Sequence, residues 1–220
     1  MRLVTFVRTW LSPGQRLSEL FYGVVMAVIL TGMINVGLPP TESTLRLLLF
    51  GTFAVNISWG VIDGVTSMYG GLANRADFSR TANAFRADPA GPEKREAVAR
   101  ALQGTIVENL DEAGQAAVVD MIGAGKPVSG QRYPPVREDW YAAIATIVID
   151  FVLVFPVMAP YFIFNTVRWA VFVSHTISIL MLAGIAVVWA GQLNLNTKKA
   201  GVIVGIISII MIYSTYAIGW

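Results

Sequence analysis

Three carboxylates, Glu19, Asp63 and Asp150, fall within or at the rim of runs that are otherwise apolar. An ionisable group near the middle of a bilayer-length run costs at least ~2.5–3.5 kcal/mol on insertion scales, so such a group normally faces a packed interior or a water-filled path. Asp63 is the deepest of the three, in the run LRLLLFGTFAVNISWGVIDGVTSMYGG at 45–71. On a helix, Asn56, Gly60, Asp63 and Ser67 share one face and form a small, polar stripe. The stripe fits the lining of a polar path, which we take as the expectation. It also fits a close helix–helix contact, because Gly60 and Gly64 form a small-xxx-small pair. Asp150 lies well inside a later run, where it is either a proton carrier or a buried acid hydrogen-bonded to Ser or Thr hydroxyls of another span. Glu19 stands one turn inside the first run, within reach of either the interior or the cytoplasmic interface.

Thioethers widen the chemistry. Met26 follows Glu19 by two helical turns on the same face. A site that mixes carboxylates with thioethers suits Fe²⁺ or Mn²⁺ better than Mg²⁺ or Ca²⁺. Most methionines in so apolar a chain nevertheless serve packing. Met68 lies roughly 140° around an ideal helix from Asp63, so the two share a site only if the helix is distorted. His175, the lone histidine, sits beside Ser174 and near Ser178 and reads as a packing residue. The acidic groups Glu93 and Glu96, and Glu108, Asp111 and Glu112, have the spacing of solvated helix faces. The segment from Gly123 to Lys126 resembles a phosphate loop only superficially, since the upstream glycine is missing and Pro127 stands where Ser or Thr is required. No hydrolase, zincin or dinucleotide motif occurs and there is no cysteine, so the chain is not expected to be an enzyme or to hold a permanent cofactor.

The elements that must position these groups follow from hydropathy. Of 220 residues, 55% are hydrophobic and 14% charged, with a mean hydropathy of +0.61. A soluble domain carries nearer ~25% charged residues. Apolar runs at 17–38, 44–71, 140–164, 169–190 and 201–219 are each long enough to cross a bilayer. The expected fold is therefore all-α: a polytopic membrane protein with five transmembrane helices and a small helical cytoplasmic insert between helices 2 and 3. Its parts are an interfacial segment at 1–16, helices 1 and 2 at 17–73, the insert at 74–139, and helices 3 to 5 at 140–220. Residues 1–12 are too short for a signal peptide and are interrupted by Arg8, so they read as an amphipathic surface helix with Leu3, Phe6, Val7 and Trp10 toward lipid. Within the insert, helices are expected at 92–103 and 109–122, the first opened by Pro92 and closed before Gly104. Residues 73–87 are expected to carry the second span into the cytoplasm.

Basic residues crowd the N-terminal segment, the insert and the short link holding Lys198 and Lys199, against Arg46 and Arg168 on the other side. The positive-inside rule then places the N-terminus and insert in the cytoplasm and the C-terminus outside. Basic residues in the insert are mixed with acidic ones and lack interleaved aromatics, so nucleic acid is not an expected partner; the lipid bilayer is.

This layout resembles the vacuolar iron transporter family, which has five spans and a cytoplasmic helical insert between the second and third. The stretch from Asp63 through Met68 to Gly71 resembles the family's Ala-Gly-Ala-Ile-Ser-Met-Gly-x-Gly-Gly segment. Pro156-Val-Met-Ala-Pro160-Tyr161 is similar to its Pro-Leu-Leu-Pro-Tyr stretch, and Trp189-Ala-Gly-Gln-Leu193 to its Trp-Lys-Gly-Arg-Leu exit. Ile218-Gly219 resembles the end of its fifth span. The resemblance implies a homodimer that exports Fe²⁺ or Mn²⁺ from the cytoplasm in exchange for protons. It implies Glu19 and Met68 as ligands at matching positions. The family's aspartate in span one appears here as Met26 and its span-two glutamate as Gly60, with Asp63 one turn away. The expected metal ligands are accordingly Glu19, Met26, Asp63 and Met68, with Asp150 the proton-coupling candidate. The alternative is a non-transporting membrane scaffold or accessory protein that keeps the fold and has lost the metal site.

Overall fold

The computed structural model describes residues 3–32, 42–128 and 130–218. Among these the chain is wholly helical. In order come α1 (Leu3–Trp10), α2 (Pro13–Gly32), α3 (Glu42–Ala87), α4 (Pro92–Ala101), a short 3₁₀ turn (Ile106–Asn109), α5 (Glu112–Gly123), α6 (Arg137–Ile163), α7 (Val167–Gln192) and α8 (Thr197–Ile218). Among the described residues, three stretches are long and apolar enough to cross a membrane: Arg137–Ile163, Val167–Gln192 and Thr197–Ser214. The expected first span is described only as far as Gly32, and residues 33–38 lie outside the described residues, as do the loop at 39–41 and the Gly219 end of the fifth span. Helix α3 runs unbroken to Ala87, so residues 73–87 continue the helix of the expected second span.

Two compact units emerge, one from Met1–Thr66 with Trp140–Trp220, the other from Ser67–Asp139. In the first, α7 packs along α8 and against α2. Its interior is built from Val24, Ala27 and Val28 of α2 with Val154 and Val157 of α6, all fully buried. Ser174 Oγ donates 2.7 Å to the Val157 carbonyl and ties α7 to α6, which stays helical through Pro156 and Pro160. Between α1 and α2, Ser12 and Gln15 form a reciprocal capping box: Gln15 N donates to Ser12 Oγ (3.2 Å) and Ser12 N to Gln15 Oε1 (3.1 Å). Pro13 at the first helical position completes the start of α2.

The stripe of α1 that was expected to face lipid is only partly exposed. Val7 is buried, while Phe6 and Trp10 lie against Tyr141 of α6 at ring separations of 6.3 and 4.8 Å. The reason is that α6 offers an apolar and aromatic surface of its own, which the same face of α1 satisfies. Leu3 and Val4 remain exposed.

The second unit has its own small core of Phe85, Val98 and Val119, with Leu102 and Ile122 packed on it. Gly91 and Pro92 open α4, and Asp111 Oδ1 accepts from Gly114 N (2.9 Å) to cap α5. These helices begin and end within a few residues of expectation, α5 starting later because the 3₁₀ turn takes 106–109. Gly123 lies under the Phe85 ring, where a Cβ would approach Cε1 to 2.6 Å. The glycine stretch that superficially resembles a phosphate loop is thus a packing surface. With so small a core, Phe85→Ala should cost about 3–5 kcal/mol. Amide exchange in α4 and α5 of the full chain should accelerate by about two orders of magnitude or more; unchanged exchange would show that Phe85 does not hold the unit together.

Candidate functional site

The α3–α6 seam is built on small residues. A Cβ on Gly64 would lie 2.8 Å from the Ala143 carbonyl oxygen, and one on Gly60 would lie 3.1 Å from the Ile147 Cα. Higher α3 numbers meet lower α6 numbers, so the helices run antiparallel here. Farther along the same seam, Phe53 meets Phe151 and Phe155 at ring separations of 6.2 and 5.3 Å. In lipid there is little hydrophobic drive between helices, and close backbone approach through small residues supplies the packing instead. The polar stripe of α3 is therefore a helix contact at Gly60 and Gly64.

That contact brings the Asp150 side chain across α3. The space a Gly60 side chain would fill is taken by Asp150, whose Oδ2 lies 3.0 Å and Cβ 3.1 Å from the position of the missing Cβ. From the other side, α2 presents Gly23, whose Cβ would lie 3.3 Å from Asp150 Oδ1. Asp150 is 1% exposed, and among the described residues neither of its oxygens accepts a hydrogen bond. The reading of Asp150 as an acid bonded to Ser or Thr hydroxyls is thereby set aside.

Glu19 of α2 and Asp63 of α3 converge on the same place. One oxygen from each of Glu19, Asp63 and Asp150 lies within 4.8 Å of the others. Glu19 and Asp63 are half-buried, and Glu19 Oε2 is buried without a hydrogen-bond partner among the described residues. Glu19 therefore turns inward instead of reaching for the interface. Two unit negative charges at this separation repel by roughly 3 kcal/mol at an effective dielectric of ~20. Three ionised carboxylates so placed require compensation by protons or by a cation. Oxygen donors converging from three helices are the ligand type that hard and borderline divalent ions take.

The structure thus joins Glu19 and Asp63, both expected as ligands, to Asp150, the proton-coupling candidate. Met26 is half-buried, two turns beyond Glu19 on α2. Met68 is buried within the second unit. Asn56, at the far end of the α3 stripe, is buried and donates from Nδ2 to the Thr52 carbonyl (2.9 Å), so it serves its own helix. His175 is buried with Nε2 3.5 Å from Thr31 Oγ1, in keeping with a packing role. Several acids of the insert have local partners: Asp88 pairs with Lys94 at 2.9 Å, Asp120 with Arg95, and Glu108 Oε2 accepts from Gly104 N at 2.8 Å. Gly60, singled out in the sequence as a small residue of the α3 stripe, and Gly23, which carries no such signal, make room for Asp150.

No protein-family model matches this chain, and no curated protein matches it either.

The seam makes a specific demand on Gly64. In Gly64→Ala a methyl meets backbone, which cannot swing aside, and thermal stability in detergent should fall by about 1–3 kcal/mol. Gly70→Ala, where a Cβ meets nothing within 4 Å, should be neutral or slightly stabilising. Equal effects of the two substitutions would deny that the α3–α6 approach is tight.

Proposed function

We propose that this protein is a membrane transporter for a divalent transition-metal ion, with Glu19, Asp63 and Asp150 as the ligands that hold the ion in transit. One observation carries the reading: three carboxylates from three helices converge, one of them fully buried with no hydrogen-bond partner among the described residues. Burying an acid without a partner is costly unless something neutralises it. A divalent ion passing through the site does so, and protons do so when it has left. Exchange of one for the other keeps the site near neutrality, which is the physical basis for proton-coupled export.

The helices are read as five spans, α2, α3, α6, α7 and α8, with the N-terminus and the insert on the cytoplasmic side by the distribution of basic residues. A homodimer is part of the proposal through the family resemblance. An all-oxygen triad favours Mn²⁺ and then Fe²⁺ among first-row ions, with Mg²⁺ and Ca²⁺ as the competitors to be excluded. Met26 is the thioether best placed along α2 to bias the site toward the softer ions, and Met26→Leu should lower preference for Fe²⁺ over Mg²⁺ without abolishing uptake.

The test is ion uptake into proteoliposomes under an imposed pH gradient. Wild type should accumulate Mn²⁺, and Glu19→Gln, Asp63→Asn and Asp150→Asn should each lower the rate by about tenfold or more. Asp150→Asn should at the same time hold or raise thermal stability in metal-free buffer, because it removes an acid buried without a partner. Full uptake by Asp150→Asn would remove that residue from the site. Absence of uptake of Mn²⁺, Fe²⁺, Mg²⁺ and Ca²⁺ alike would leave the non-transporting scaffold as the better reading.

A further inference from the structure

A groove on the first unit is not lined by any of the three carboxylates. Leu3, Val4 and Val7 of α1, Leu20 of α2, and Val148 and Val152 of α6 wall an open groove of about 230 Å³, and Arg8 and Arg16 line it as well. Leu3, Val4 and Val152 are exposed, at 51%, 67% and 42%. Arg16 Nη1 lies 3.5 Å from the Arg8 carbonyl oxygen, so its guanidinium is held beside the residue that carries the other. Among the described residues neither arginine pairs with a carboxylate. The walls are wholly apolar, so Arg8 and Arg16 line the channel with their aliphatic stems and carry their charges beyond it, and such a channel calls for a molecule with a long apolar part joined to an anion.

We propose that this groove binds one anionic phospholipid, its phosphate on Arg8 and Arg16 and an acyl chain along Val4, Val148 and Val152. Charge complementarity chooses this occupant. A guanidinium fork matches phosphate oxygens in a bidentate geometry, and a basic residue next to an apolar surface draws anionic lipid from a mixed bilayer. A zwitterionic lipid satisfies the walls but brings its own cation to the arginines. The site also gives α1 a purpose: its buried face with Val7 docks it on α6, and its remaining apolar residues complete the channel. The lipid then joins α1 to α6, the helix that carries Asp150. This site stands whether or not the carboxylates move an ion.

The experiment is native mass spectrometry of the full chain released from micelles containing equal amounts of palmitoyl-oleoyl phosphatidylglycerol and palmitoyl-oleoyl phosphatidylcholine. Wild type should retain the glycerol lipid about tenfold or more over the choline lipid. Arg8→Gln with Arg16→Gln should bring that ratio close to one while retaining some of both lipids. Val152→Trp, which fills the channel, should lower retention of both. Equal retention by wild type, or a preference that survives the double arginine substitution, overturns the proposal. So does a dimer that Val152→Trp dissociates with no change in bound lipid, since the groove would then hold a second copy of the chain.

Discussion

The close approach of α3 to α6 is the constraint on which the first unit turns. Gly60 and Gly64 let one helix backbone lie against the other, and Asp150 occupies the volume that a side chain at Gly60 would take. With any larger residue there, Asp150 would be displaced from Asp63 and Glu19. The same seam continues through Phe53, Phe151 and Phe155, where aromatic edges replace backbone contact and fix the register of the two helices. A packing feature thus sets the geometry of a polar one.

Holding the carboxylates together has a cost that the surrounding helices must offset. Fully buried Val24, Val28, Val154 and Val157, and the Ser174 hydroxyl on the Val157 carbonyl, give α2, α6 and α7 a rigid interior around the acids. Proteins commonly give up stability where function needs strain or unpaired groups. The second unit shows the opposite economy. Asp111 there caps a helix and Asp88 and Asp120 pair with lysine and arginine, and exposed pairs of that kind contribute only about 0–1 kcal/mol each. Its order comes from Phe85, Val98 and Val119 instead.

Much of this was legible in the sequence, for identifiable reasons. Long apolar runs and Pro or Gly punctuation located α6, α7, α8 and the helices of the insert, because period and capping act locally. The three acids stood out because a carboxylate is rare in so apolar a run. Their convergence was not legible, since it depends on which face of α6 meets α3 and on two glycines whose role is to be absent at the right place. The Gly60–Gly64 pair offered both a path and a contact, and only the antiparallel seam shows the contact. The α1 stripe was found, but its partner was not: nothing in residues 1–12 says that Tyr141 waits for Phe6 and Trp10.

The most direct measurement is anomalous scattering at the manganese edge from crystals of the full chain grown with Mn²⁺. If the carboxylates hold an ion in transit, a peak should stand among Glu19, Asp63 and Asp150, within coordination distance of an oxygen from each, and should vanish in Asp150→Asn. A well-ordered triad with no peak at saturating Mn²⁺, or a peak only elsewhere in the protein, would contradict the account.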